Sequence, residues 1–201
     1  MDALFWNKRY DTEEYIYGEK PNAYFAEKLP LLKPGKILLP AEGEGRNAVY
    51  AASLGWEVFA FDQSQVAQRK AWLLAQKNQV KIRYEIAFLE EMPYSGERFE
   101  AIGLFFVHLP PLLRKRFHQK LEHFLQSNGY LILEAFGKRQ LQYSSGGPRE
   151  ISYLFSPEEL IEDFSYLEIL ELRDEIRLLD EGSAHQGEAH LISLFAKKPR
   201  V

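Results

Sequence analysis

The sequence predicts a single α/β domain: a mostly parallel sheet with helices on both faces and an antiparallel last strand. Three observations carry that prediction. From Lys36 onward, apolar runs of strand length alternate with segments of helical periodicity, the pattern that produces right-handed βαβ crossovers. FEAIGLFFV (99–107) and YLILEAF (130–136) are apolar almost throughout, as central strands covered on both faces must be. The chain's 201 residues, 46% of them hydrophobic, suffice for one sizeable core and fall short of two.

The elements follow in order. Residues 1–30, rich in Tyr, Trp and charge and punctuated by Pro21 and Pro30, read as one or two short helices packed outside the main fold. KILLPA (36–41) is the first strand. Arg46–Leu54 is a helix, with Ala48, Val49, Ala52 and Leu54 at helical spacing and a stop at Gly55. WEVFAF (56–61) is the second strand, and Ser64 caps a helix running through Asn78. Val80–Ile86 is a third strand and 99–107 the fourth. Pro110-Pro111 opens a helix whose stripe is Leu113, Phe117, Leu121 and Leu125, ended by Asn128-Gly129. After the fifth strand (130–136), KRQLQYSSGGPRE is a loop too long to be a mere connection. Ser156-Pro157-Glu158-Glu159 is a helix start with a cap, a proline at the first position and a capping box, stapled by Phe155 and Leu160. Strands near Leu167–Leu178 and His190–Lys197 flank DEGSAHQGEA, which joins an antiparallel pair. The division expected within the single domain of 1–201 is an N-terminal helical lid (1–30), a βα core (36–136) and an acceptor-side loop, helix and strand pair (137–201).

Composition narrows the function classes. Twenty-five Lys and Arg oppose twenty-nine Asp and Glu for a net charge of −4, which gives no electrostatic reason to expect nucleic acid or an anionic membrane as partner. Zero cysteines exclude disulfides, thiolate zinc sites, iron–sulfur clusters and a cysteine nucleophile. His118/His123 and His185/His190 are each five apart, a spacing that puts no two ligands on one helix face, so no metal is expected. MDALFWNKRYD has charges where a signal peptide needs an apolar run, and no eighteen-residue apolar stretch occurs; a cytoplasmic protein is expected.

The informative segment is Ala41-Glu42-Gly43-Glu44-Gly45-Arg46-Asn47-Ala48, between the first strand and the first core helix. Gly43 and Gly45 let the backbone turn tightly and approach a ligand. Asp62 ends the second strand nineteen residues after Gly43, where a carboxylate can accept both hydroxyls of a ribose. Gly43-x-Gly45-x-x-Ala48 also satisfies the dinucleotide fingerprint, so an NAD-dependent oxidoreductase is one reading. Against it, Glu42 and Glu44 flank the glycines where a pyrophosphate would sit. Like charges about 4 Å apart repel by roughly 1 kcal/mol in bulk water and by about 4 at an effective dielectric of 20. A ligand with an ammonium and a sulfonium and no phosphate finds that edge favourable, a description that fits S-adenosylmethionine.

ILLPAEGEGRNAVYAASLGWEVFAFD resembles the first two motifs of class I S-adenosylmethionine-dependent methyltransferases. WNKRYDTEEYIYGEKPN, FFVHLPPLLRKR and LQYSSGGPRE are similar, more narrowly, to the small tellurite-resistance-type methyltransferases and their thiopurine-methyltransferase relatives. The resemblance implies a Rossmann-like methyltransferase fold with a seven-stranded sheet, and S-adenosylmethionine as cofactor. It implies that Gly43 and Gly45, in a loop with Glu42, Glu44 and Asn47, line the methionine portion, with Asp62 at the ribose and Gln63 near the adenine. Phe88 and Leu89 would border the adenine, and Phe106 and His108 would face the reacting methyl. Trp6, Arg9 and Tyr10 would fold over the cofactor, with Arg9 a partner for its carboxylate. The chain departs from the pattern at Leu39, where most class I enzymes carry an acid, at Ala41 and Glu42, which replace Gly-Cys, and at Phe88, often a carboxylate or amide.

The reading that follows is a methyltransferase with a small acceptor such as tellurite, selenite or a thiol; the alternative of another class is a non-catalytic module that binds the cofactor. On the acceptor side His108, Arg149 and His185 are the candidates. His108 follows a buried strand, and Arg149 and His185 lie in loops rather than periodic segments. Arg149 and a protonated His185 would suit an anionic acceptor, although His185 would have to reach over from the sheet edge. Arg114-Lys115-Arg116 reads as the solvated face of an amphipathic helix rather than a nucleic-acid patch.

Overall fold

Strand residues at successive positions point to opposite faces of a sheet, and here both faces of the central strands are apolar. The result, in a computed structural model that describes residues 2–200, is one seven-stranded sheet in the order β3-β2-β1-β4-β5-β7-β6. Its strands are β1 (Lys36–Pro40), β2 (Glu57–Asp62), β3 (Arg83–Ile86), β4 (Phe99–Phe105), β5 (Leu125–Phe136), β6 (Glu168–Asp180) and β7 (Gln186–Lys197). The four pairings among β1 to β5 are parallel. The two made by β7 are antiparallel, so the sheet is mixed, and "mostly parallel" describes its β3-to-β5 part. Met1 and Val201, the ends of the assigned domain, lie outside the described residues.

The helices are α1 (Ala3–Tyr10), α2 (Ala23–Lys28), α3 (Arg46–Ser53), α4 (Gln65–Lys77), α5 (Pro111–Lys120) and α6 (Pro157–Asp163). One sheet face, with Ile37, Leu39, Val58, Ala60, Ala101 and Ile132, is covered by Ala48 and Ala51 of α3, Ala71 of α4, and Tyr24 and Phe25 of α2. The other, with Leu38, Phe59, Phe61, Ile102, Leu104, Leu131 and Leu133, is covered by Phe117 of α5, Leu160 of α6 and the adjoining Leu121, Phe155 and Phe164. Ser156 and Glu159 form the expected capping box, with Pro157 in the first turn.

The structure corrects the sequence reading in three places. α2 is not outside the fold: Tyr24, Phe25 and Leu29 have no exposed surface, because their side chains complete the apolar layer over β1 and β5. The helix after Pro110 ends at Lys120, and Leu125 opens β5 rather than closing a helical stripe. Asn128-Gly129 is an irregularity inside that strand, where Phe99 pairs with Leu125 and Ala101 next pairs with Tyr130; Asn128 takes the left-handed conformation (φ 64°) that Asn tolerates better than most residues. Finally, β6 and β7 pair out to Asp180 and Gln186. Half of DEGSAHQGEA is therefore strand, and residues 181–185 form the turn.

Candidate cofactor and acceptor cleft

β1 and β4 are neighbours whose following helices, α3 and α5, leave toward opposite faces of the sheet. That is the switch point at which open α/β sheets bind ligands. A cleft of about 1030 Å³ opens there. The residues just past the two strands, Ala41 (φ 50°) and Phe106 (φ 56°), are both left-handed and both line the cleft. Non-glycine residues held this way cost free energy and cluster where function fixes the backbone.

The glycine loop is organised from below by Asp62. Its Oδ2 accepts from the Gly43 amide at 3.1 Å and its Oδ1 from the Ser64 amide at 2.9 Å. Burial pushes the Asp62 carboxyl up to about 6, against the pull of these backbone donors. Gly43 is needed twice over: its φ is 61°, and a Cβ there would stand 2.8 Å from the Tyr10 hydroxyl. Gly45 does something else. At φ 88°, a Cβ would meet Ala71 Cβ at 2.6 Å, so this glycine lets α3 close onto α4, and its side does not line the cleft as Gly43 does.

The two acids of the loop behave differently from one another. Glu42 turns under α3, where its Oε1 accepts from the Ala48 amide at 2.7 Å, and burial raises its carboxyl to about 7. Glu44 turns away, accepting from the Ile16 amide at 2.8 Å and pairing with Lys70. Only Glu42, of the two, accepts from an amide in the first turn of α3. Asn47 Oδ1 accepts from the Asn22 amide at 2.8 Å, fastening the N-terminal segment beside the loop.

The segment before β1 closes one side. Asn7 Oδ1 accepts from Ser64 Oγ at 2.7 Å, which docks α1 on the start of α4. Trp6 stacks on buried Tyr10 (5.5 Å between centroids, 21°), and Arg9 Nε donates to the Tyr17 hydroxyl at 3.0 Å. Gln63, half-exposed Phe88 and Leu89 line the cleft at the ends of β2 and β3.

The acceptor-side candidates differ sharply. His108 Nδ1 donates to the Tyr153 carbonyl at 2.8 Å, and its Nε2 accepts from the Phe136 amide at 3.3 Å. Both nitrogens are engaged, and burial pushes the imidazole down to about 4, so His108 is a neutral strut. Arg149 is exposed at the rim, donating to the Tyr143 carbonyl at 3.1 Å. His185 is not a distant reach from the sheet edge. The β6–β7 turn lies over the cleft, held where Ala184 N donates to Ile16 O at 3.2 Å and where Arg46 donates to both Tyr17 O (2.9 Å) and Glu181 (2.8 Å). His185 is thereby buried against Phe106, 4.3 Å between ring centroids.

Residues 37–129 match the family model of a methyltransferase domain. No curated protein sequence matches the chain. Among solved structures, a protein studied for the conversion of a disulfide bond into a thioacetal group during echinomycin biosynthesis is similar over 98% of this chain and 90% of its own, at 15% identity and a TM-score of 0.78. TehB from Haemophilus influenzae is similar over 98% of this chain and 66% of its own (19%, 0.71). The magnesium protoporphyrin IX methyltransferase ChlM of Synechocystis PCC 6803, solved with bound S-adenosylhomocysteine, is similar over 87% and 79% (15%, 0.67).

The fold is that of the S-adenosylmethionine-dependent methyltransferases.

Within this methyltransferase fold the cleft gathers Trp6, Arg9, Tyr10, Glu42, Gly43, Glu44, Asn47, Asp62, Gln63, Phe88, Leu89, Phe106, His108, Arg149 and His185 along one wall or another. Sequence reasoning missed Arg46, Phe136 and Glu181. Arg46 stands in the loop motif itself and was legible there; Glu181 was not, since only the docking of the β6–β7 turn brings it to Arg46. Among the described residues no cluster of three or more His, Asp or Glu could hold a metal ion, and no helix is long and apolar enough to cross a membrane.

Proposed function

We propose that the chain is an S-adenosylmethionine-dependent methyltransferase acting on a small molecule. One observation carries the choice of cofactor. In a dinucleotide fold the first amides of the helix after the glycine loop bind the pyrophosphate; here the Ala48 amide donates to Glu42. A carboxylate already fills the anion site, which disfavours NAD and favours a cofactor that brings positive charge.

Gly43 would give the methionine portion its room, Asp62 would receive the ribose hydroxyls beside the Gly43, Gln63 and Ser64 amides it already accepts from, and Arg9 would pair with the carboxylate. Phe88 and Leu89 would flank the adenine without a side-chain carboxylate, Gln63 lying beside them. Trp6 and Tyr10 would exclude water. The cofactor supplies a methyl group already activated by its sulfonium, so the chain's own task is alignment, which can contribute roughly 7–11 kcal/mol.

Of the acceptors the resemblance implies, an uncharged thiol-type molecule fits better than tellurite or selenite. An oxyanion needs converging cations, but burial pushes His185 down, Arg46 is paired with Glu181 and Arg149 sits exposed at the rim. A cleft of about 1030 Å³ on a chain of net charge −4 also suits a small molecule better than a nucleic acid or a membrane. The test is formation of S-adenosylhomocysteine from methyl-labelled S-adenosylmethionine across thiols, phenols, tellurite and selenite. Turnover with at least one small uncharged acceptor is expected; methylation of macromolecules alone would defeat the proposal.

A further inference from the structure

His185 differs from His108 in what its nitrogens meet. Its Nδ1 is buried with no hydrogen-bond partner. The nearest charge is Glu181 Oε2 at 3.8 Å, which Arg46 holds in place at 2.8 Å. The ring is boxed by Tyr17 (4.5 Å), Phe106 (4.3 Å) and Phe136 (5.1 Å). Its other edge lies under the SSGGP loop. A Cβ on Gly146 would come within 2.8 Å of His185 Cδ2 and 3.4 Å of Nε2, and one on Gly147 within 2.7 Å of Phe136. The two glycines thus pack their backbone against this part of the pocket, and His185 and Gly147 both line the cleft.

Resting on the methyltransferase reading, we propose that His185 is the base of the reaction. Its Nε2 takes the proton of an uncharged acceptor that carries one O–H or S–H group on a flat apolar body. Glu181 on the Nδ1 side favours the Nδ1–H tautomer, which leaves the Nε2 lone pair for the acceptor; such contacts are often long before ligands bind. The charged and titratable groups around the ring are Glu181 on its own turn, Arg46 of α3, Arg9 of α1, Tyr17 between α1 and α2, and His108 after β4. Burial outweighs the pull of Glu181 and keeps the ring neutral and able to accept a proton. The acceptor's X–H bond breaks, with the proton going to Nε2 and the electron pair staying on X. That pair forms the X–CH₃ bond as the S–CH₃ pair returns to sulfur, leaving methylated acceptor, S-adenosylhomocysteine and an imidazolium that loses its proton to water.

The test uses 4-nitrophenol and benzyl mercaptan as probes with the full chain. In the presence of saturating S-adenosylhomocysteine, wild-type protein should bind 4-nitrophenol and shift the absorption of the neutral phenol to longer wavelength, as a hydrogen bond from its O–H to Nε2 does. His185→Gln should abolish that shift and lower methylation of both probes at least about 100-fold, with S-adenosylhomocysteine affinity within about twofold. His185→Ala should regain turnover on addition of imidazole, which a packing role would not give. A His185→Gln protein that keeps the shift, or turns over within threefold of wild type, overturns the inference. So does a protein that binds S-adenosylhomocysteine yet neither binds nor methylates either probe, while the cofactor reading stands. Failure to bind S-adenosylhomocysteine would overturn both.

Discussion

Glu42 Oε1 accepts the Ala48 amide proton at 2.7 Å, so the helix that follows the glycine loop is capped by a carboxylate only six residues earlier in the chain. The same contact buries an acid, and burial raises it to about 7.

That shift has a sign that can be measured. The folded protein holds a proton on Glu42 more tightly than the unfolded chain, whose Glu titrates near 4.5. Between pH 4.5 and about 7 the unfolded state deprotonates first, so this residue's contribution falls as pH rises. The loss is on the order of 3 kcal/mol across the window. Glu42→Gln should therefore gain stability relative to wild type by about that amount from pH 4.5 to 7, then level off. Denaturation at a series of pH values gives the difference directly, and a flat difference would mean that Glu42 is ionised at little cost.

The two loop glycines should separate in their effects. Gly45→Ala drives a methyl into Ala71, backbone included at 2.9 Å, and overpacking of this kind costs about 1–3 kcal/mol in addition to left-handed strain. Gly43→Ala meets only the end of the Tyr10 side chain, so it should cost about 1–2 kcal/mol of backbone strain but disturb the α1 lid. Urea melts should rank Gly45→Ala as the less stable variant, and cofactor titrations should rank Gly43→Ala as the weaker binder per unit of stability lost. The reverse order would misplace both residues.

Much of this was legible in the sequence because the signals were local. The strand–helix alternation, the Ser156 capping box, and the glycine loop with Asp62 at the end of β2 all rest on residues a few positions apart or on one repeated spacing. What stayed hidden depends on docking between distant segments. His185 enters the cleft because Ile16, Tyr17 and Arg46 hold the β6–β7 turn across it. Glu44 lines the cleft with its carboxylate already taken by Lys70 and the Ile16 amide. α2 joins the core because β5 leaves an apolar face over it, and Leu125 continued a helical stripe by coincidence of spacing.

Removal of residues 1–10 should leave a folded domain, since the contacts that pin the β6–β7 turn begin at Ile16. It would take away Trp6, Arg9 and Tyr10 together. Binding of S-adenosylhomocysteine should weaken more than tenfold while far-ultraviolet circular dichroism keeps its native shape. Undiminished binding would show that α1 does not cover the cofactor.

Asp163 offers a control away from the cleft. Buried between α5 and α6, it accepts from Arg114 Nε at 2.8 Å and from His118 Nδ1 at 2.9 Å. Asp163→Ala would leave buried Arg114 with only the longer contact to Glu159 at 3.6 Å, at a cost of about 3–5 kcal/mol. The thermal midpoint should drop steeply with S-adenosylhomocysteine affinity of the folded fraction unchanged; a loss of affinity would tie this cluster to the site.

The most direct measurement is a calorimetric titration of S-adenosylhomocysteine and of NAD into wild type and Asp62→Ala. Wild type should bind S-adenosylhomocysteine and not NAD, and Asp62→Ala should weaken binding by about 1.5–3 kcal/mol through loss of hydrogen bonds to a charged group. Tight NAD binding, or equal affinity in the two proteins, would contradict the assignment of this cleft to the cofactor.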